Sequence, residues 1–241
     1  MIVLDRNISL MENCGGGDAG MADSVPKSAA ISDDLYIVGF GFVAMYVLAA
    51  DDRLVAFDTG MRSRALVREF GKLGLDPARV THVFLAHTDS DHTGGLKAFP
   101  NAMAYLSRDE LPMVTHSTPR FFKFIYNKPL STAYEAVADF QELSVGNTHV
   151  RCISTPGHTP GSMSYLVNGR MLIVGDILNL DRGRAVMDRA MINMDNGRRR
   201  ESIQRLARLE NISLLCTMHS GYTVDFDAAM AEWRLDSAAR G

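Results

Sequence analysis

The sequence predicts a layered α/β sandwich from three observations. Apolar, β-branched runs recur in both halves of the chain, turn residues break them into hairpin-sized pieces, and segments at helical spacing fall between them. Hairpins mixed with helices exclude a purely parallel sheet. With 241 residues, 46% hydrophobic and 22% charged, the chain can bury a substantial core as one domain spanning 1–241.

Residues 11–30, MENCGGGDAGMADSVPKSAA, are glycine-rich, lack aromatic side chains and predict a loop or a disordered segment. The GGG is no phosphate cradle, because both a preceding strand and the lysine of GxxxxGK[ST] are missing. From residue 35, LYIVGFGFVAMYVLAADDRLVAFDTG predicts strands broken at Gly39, Gly41 and a turn at Asp51-Asp52. Ala65, Leu66, Phe70 and Leu73 recur at helical spacing, and the next strand, VTHVFLAH, runs to His87.

A short strand near Ala104 precedes an irregular stretch, residues 107–140, in which Pro112, Pro119 and Pro129 limit each helical piece. It predicts a short-helix insertion overhanging a pocket, with Phe121, Phe122, Phe124, Tyr126 and Tyr134 as its own small core in preference to a substrate-binding wall. Strands return in THVRCIST, SMSYLVNG and RMLIVGD, the last two joined by a hairpin at Asn168-Gly169. Residues 196–209 predict a helix with Ile203, Leu206 and Leu209 inward and arginines 198, 199, 200, 205 and 208 on a solvated face. The strand ISLLCTM reaches His219, and a terminal helix begins near Phe226.

Lys and Arg total 25 against 28 Asp and Glu, a formal charge of -3, so composition implies no basic surface and nucleic acid is not the expected partner. Cys14, Cys152 and Cys216 lie far apart without a CxxC, which suits a reducing, cytoplasmic compartment better than a disulfide scaffold. The first residues carry Asp5, Arg6 and Glu12 and no long apolar run, so neither a signal peptide nor a membrane span is expected.

The chemistry concentrates in HTDSDHTGG, where His87, Asp89, Asp91 and His92 place four metal-type side chains within six residues beyond a strand. His158, Asp176 and His219 each follow a strand too. Taken singly, each is better read as a hydrogen-bonded structural residue. As a set at strand ends they can converge on one edge of the sheets. Asp58 is expected either to brace a ligand or to cap the helix near Arg62. Thr88, Ser90, Thr93 and Thr159 are expected to bond the backbone of tight loops, and Gly94 and Gly95 to permit close backbone approach. His82 and His149 are expected to be structural or exposed. His116, in the insertion, and Tyr222, just past His219, are better candidates for a substrate pocket than these two.

With these residues in place, the sequence from about residue 31 onward resembles the metallo-β-lactamase fold superfamily. The shared features are Asp58-Thr59-Gly60 after an early strand, His87 to His92 as a variant of HxHxDH followed by glycines, then His158, Asp176 and His219. The resemblance implies a four-layer αββα sandwich and two divalent metal ions, zinc first, with iron or manganese as alternatives. It implies one ion held by His87, Asp89 and His158, a second by Asp91, His92 and His219, and Asp176 between them. It further implies a metal-dependent hydrolase in which a metal-bridging hydroxide attacks a small ester, lactone or thioester, with Asp91 orienting the nucleophile or relaying its proton. Asp89 departs from the pattern, since the family's usual residue there is histidine. A carboxylate at that place resembles the flavodiiron branch, which keeps a di-iron redox protein as an alternative, beside a catalytically silent binding module. The expected partner is a small-molecule substrate, with no membrane; oligomeric state is open, a homodimer included.

Overall fold

The computed structural model describes residues 25–187 and 190–238, with side chains through 235. The first half forms β1 (Ala29–Ala30), β2 (Leu35–Gly39), β3 (Ala44–Ala50), β4 (Arg53–Phe57), β5 (Val80–Phe84), β6 (Met103–Ser107) and β7 (Tyr134–Val137), which lie side by side in chain order in one sheet. β1 to β4 pair antiparallel through short turns, one of them at Asp51-Asp52, and β4 to β7 pair parallel. The second half supplies β8 (Glu142–Val145), β9 (Thr148–Ser154), β10 (Met163–Val167), β11 (Met171–Ile173), β12 (Asn179–Asp181), β13 (Arg184–Val186), β14 (Leu214–Thr217) and β15 (Gly221–Thr223). Six of these make the second sheet in the order β15-β14-β11-β10-β9-β8, and β12 and β13 form a separate hairpin. The three-residue β10–β11 connection puts Asn168 and Gly169 at φ 50° and 67°, a left-handed pair at the centre of a turn closed by Arg170 N donating to the Val167 carbonyl at 3.1 Å.

Five α-helices, beside short 3₁₀ turns, are assigned among the described residues: α1 (Ser63–Lys72), α2 (Ser90–Thr93), α3 (Leu111–Val114), α4 (Asn196–Ala207) and α5 (Phe226–Ala238). The period-two alternation of the strands sorts side chains between inner and outer faces. Tyr46, Phe57 and Phe84 meet Cys152, Tyr165 and Ile173 between the two sheets. Their neighbours Val47, Ala56 and Val83 face outward onto Leu66 and Phe70 of α1 and Phe99. Across the second sheet, Leu172 and Leu215 pack on Ile203 and Leu206 of α4 and on Met230 of α5. The result is the αββα sandwich. Each large apolar side chain so buried contributes roughly 1.5–3 kcal/mol, and the central layer holds the two sheets face to face.

Several expectations are corrected. Of the stretch 11–30, residues 11–24 lie outside the described residues, as does Cys14, and Ala29–Ala30 form the edge strand β1. β5 stops at Phe84, so His87 stands in the loop beyond it. The insertion is helical only at 108–114, and its far end is β7, an edge strand of the first sheet. Its aromatics make no core: Phe122 and Phe124 are 78% and 72% exposed, and Tyr126 and Tyr134 are exposed too. Too few residues separate the three prolines to build helices with an interior between them.

On α4, Arg199 leaves the expected solvated face. It is buried and its Nε donates to the Ile177 carbonyl at 2.7 Å. Gly157, at φ 142°, is the reason: its backbone lies so close to Arg199 that a Cβ would overlap it. Cys152 and Cys216 are buried free thiols, Cys152 pushed up to about 12 by burial and then by Asp139. Among the described residues no helix is long and apolar enough to cross a membrane.

Candidate metal centre

Parallel pairing of β4 with β5 and of β11 with β14 sends the chain out of both sheets at one edge, and the candidate ligands lie in the loops that follow. His87 comes after β5, Asp89, Asp91 and His92 in and before α2, His158 after β9, Asp176 after β11 and His219 after β14. The loop around α2 is drawn onto the Asp58-Thr59-Gly60 turn. Thr59 N and Oγ1 both donate to the His92 carbonyl at 2.8 Å. Gly94 and Gly95 run so close to the Met61 and Thr59 carbonyls that a Cβ would collide, which is why glycine stands there.

All seven predicted side chains converge. Asp176 divides its carboxylate: Oδ1 lies 3.2 Å from His92 Nε2 and 3.1 Å from His219 Nε2, while Oδ2 lies 3.5 Å from His158 Nε2. Asp89 Oδ2 is 3.4 Å from His87 Nε2 and 3.3 Å from His158 Nε2. Asp91 Oδ2 is 3.7 Å from His92 Nε2 and 3.6 Å from His219 Nε2. The groups His87–Asp89–His158 and Asp91–His92–His219 are thus two clusters with Asp176 reaching both, and His87, His92 and Asp176 also draw together.

The imidazoles are oriented from behind. Asp58 Oδ2 lies 2.7 Å from His92 Nδ1, and Oδ1 accepts from Ala86 N at 2.7 Å. Asp58 is therefore a brace for a ligand, one of its two expected roles, held at φ 60°. His219 Nδ1 donates to the Phe42 carbonyl at 2.6 Å, and His158 Nδ1 to Asn193 Oδ1 at 2.9 Å. A proton on Nδ1 leaves a lone pair on Nε2, so all three rings aim an acceptor inward.

The donor set fits divalent cations. Nε2 of His87, His92 and His219, with Asp176 Oδ1, are buried without a hydrogen-bond partner. Such atoms are costly unless something of positive charge sits between them. Burial opposes the charged form of Asp176, yet His92, His158 and His219 hold it well below the ordinary carboxylate range. Asp89 is likewise resisted by burial but lowered by His87, His158 and Arg120. Burial disfavours a proton on His92, while Asp176 and Asp58 outweigh it and raise that ring well above the usual histidine value. The pocket's field is one that attracts cations.

Four functional neighbours carried no signal in the sequence. Arg120, 4% exposed, places Nε 2.8 and 3.0 Å from the two Asp89 oxygens and Nη2 3.0 Å from His158 Nε2. Asn127 donates to Thr88 Oγ1 and Asp89 Oδ1, and Asn193 orients His158. Glu110, fully buried, accepts from Thr88 N and Oγ1 and from Thr159 Oγ1 and Gly161 N. Thr88 and Thr159 therefore bond a side chain where backbone partners were expected; Thr93 does bond the Asp89 carbonyl. An unbalanced carboxylate at 89 is the one feature that could have prompted a search for Arg120.

A cavity of about 340 Å³ opens over the cluster, with Asp91, Asp176 and His219 at its floor. Phe121, Ile125, Tyr126 and Lys128 line its side, so two of the insertion's aromatics are wall. Neither His116 nor Tyr222 lines it: the His116 ring lies tilted against Tyr126 with centroids 5.7 Å apart, and Tyr222 packs against the central core. His82 stacks on Tyr105 and His149 bonds Ser144, both away from the site.

Residues 38–219 match the metallo-beta-lactamase superfamily, and the chain belongs to that family. It is 27% identical over 139 residues to the probable metallo-hydrolase YqgX of Bacillus subtilis, covering 55% of this chain and 64% of the relative. It is 32% identical over 118 residues to the N-acyl homoserine lactonase AttM of Agrobacterium fabrum, covering 44% of this chain and 43% of the relative. The chain thus spans less than two thirds of these curated relatives. Among solved structures, a Cronobacter sakazakii metallo-beta-lactamase with a HARLDQ motif superposes with TM-score 0.69 at 17% identity, covering 90% of this chain and 95% of that one. That likeness is one of fold.

Proposed function

We propose that this chain is a metal-dependent hydrolase of a small carboxylic ester, lactone or thioester, working with two divalent cations. His87, Asp89 and His158 are assigned to one ion, Asp91, His92 and His219 to the other, and Asp176 to both. The observation that carries the proposal is the split Asp176 carboxylate, set among inward-facing Nε2 atoms at the floor of an open cavity. When bound, such ions lower the pKa of water and polarise a carbonyl oxygen.

The chain's own groups do the rest. Phe121, Ile125 and Tyr126 cover the apolar part of a substrate and exclude water from that side. Asp91, 21% exposed at the cavity floor, orients the attacking water and takes its proton. His92 and His219 cannot serve as bases through Nδ1, because Asp58 and the Phe42 carbonyl occupy those atoms. Each cluster offers two histidines and one aspartate, a donor set that suits zinc, and the carboxylate at 89, where histidine is usual, adds affinity for iron or manganese. Two buried free thiols suit a cytoplasmic setting.

Metal-free protein loaded separately with Zn, Mn and Fe should hydrolyse members of an ester and lactone panel. Turnover confined to phosphodiesters would exclude this substrate class, and tightly held iron with visible absorption and oxygen reduction would favour the redox alternative.

A further inference from the structure

Asp89 places one more negative charge in the cluster than a histidine would, and the fold supplies its counter-ion from the insertion. The Arg120 guanidinium is buried, lies over the Phe121 ring at 4.2 Å and donates through Nη2 to the Ile192 carbonyl at 2.8 Å. Its Nε is shared between the two Asp89 oxygens, and Nη2 also reaches His158 Nε2 at 3.0 Å. His158 Nδ1 is turned to Asn193, so Nε2 holds the ring's only lone pair. That lone pair cannot be given at once to an N–H and to a metal ion. Two of the three side chains of the first position are thus engaged by a cation belonging to the chain itself.

The second position differs. His92 Nε2, His219 Nε2 and Asp176 Oδ1 have no hydrogen-bond partner, and no arginine or lysine pairs with Asp91 among the ion pairs of the described residues. His87 Nε2 is also without a partner, so the first position keeps one open donor.

Resting on the metal assignment above, we propose that Arg120 is a tethered cation competing with a metal ion for the first position. The chain then binds one ion firmly through Asp91, His92, His219 and Asp176, and a second only when the guanidinium withdraws from His158. Withdrawal is allowed by the setting of Arg120: apart from the Phe121–Ile125 bridge, residues 115–133 lie in neither helix nor strand. The same segment walls the cavity, so occupancy of the first position and shape of the substrate site change together.

The test is metal binding by the full chain, stripped with chelator and titrated with Zn²⁺ against a chromophoric competitor, and with Co²⁺ followed by its absorption. Wild type should take one equivalent tightly and a second at least about tenfold more weakly. Arg120→Met should bring the two within a few-fold, and His219→Ala should abolish the tight equivalent while leaving the weak one. Asp89→His/Arg120→Met removes both charges together, leaves neither unpaired, and should take two equivalents of similar affinity; it decides the matter if the single variant does not fold. Two equal equivalents in wild type would overturn the competition while leaving the two-metal assignment standing, and so would an unchanged gap in both Arg120 variants. Absence of any bound ion would overturn both.

Discussion

The two halves of the metal cluster use the same kinds of side chain but are supported by different parts of the molecule. His92 and His219 are oriented by Asp58 and by the Phe42 carbonyl, groups flanking the strands β4 and β3 of the first sheet. His158 is oriented by Asn193, and Asp89 is held by Arg120 and Asn127, all from segments without helix or strand. A ligand braced by a sheet keeps its geometry at little cost when the surface moves, while one braced by surface segments is adjustable. The difference separates a rigid position from one whose occupancy can respond to the cavity wall.

The largest effect should come from the residue that the halves share. Asp176→Asn replaces a bridging charge by a neutral amide that offers one oxygen, and activity should fall on the order of 10³-fold. Metal analysis should then show loss from both positions. Retention of one full equivalent would mean that Asp176 serves a single half.

Glu110 tests whether the adjustable half has any fixed point of its own. Its carboxylate stitches the His87 loop to the His158 loop through four donors, all within 3.2 Å. Glu110→Ala leaves those donors buried without acceptors and should cost about 3 kcal/mol. For a chain of this size that is a drop in Tm of roughly 6–12 °C, read by calorimetry. A variant as stable as wild type would show that water replaces the carboxylate and that the two loops are independent.

In the rigid half the informative change is Asp58→Asn. The amide oxygen can still accept from Ala86 N, but its NH₂ then faces His92 Nδ1 and demands a lone pair there. The ring proton must move to Nε2, the atom aimed at the second position, and metal affinity should fall about 10–100-fold with little change in fold. The readout is the tight equivalent in a Co²⁺ titration. Loss of the weak equivalent alone would reverse the assignment of rigid and adjustable halves.

What the sequence made legible follows the same division. The seven candidate ligands and Asp58 were readable because each stands at the end of an apolar strand or inside HTDSDH, where local pattern and chemistry coincide. The strands, the Asn168-Gly169 hairpin and α4 were readable through period and turn chemistry. Arg120 was not, because it reaches across 31 residues to Asp89 and 38 to His158 from a stretch with no period, where an arginine between Pro119 and Phe121 looks like any solvated residue. Glu110 was hidden by a charge that propensity assigns to solvent, although four donors bury it. Arg199 escaped because its burial depends on Gly157, a contact made only once α4 docks on the loop after β9.

The smallest effect is expected at Asn193, which accepts from His158 Nδ1. Asn193→Ala removes the acceptor from Nδ1 but leaves Nε2 bonded to Arg120, so the ring loses its orientation without losing its place. Activity should fall by no more than about tenfold, the low end for an outer orienting group, and the tight metal equivalent should be untouched. In the Arg120→Met background the same change should cost more, because only the Asp89 and Asp176 carboxylates then remain beside the ring, both at Nε2. That non-additivity, measured as a double-mutant cycle on the weak equivalent, is the sharpest comparison of the halves. Strict additivity would place Asn193 and Arg120 in separate roles and leave His158 held by packing alone.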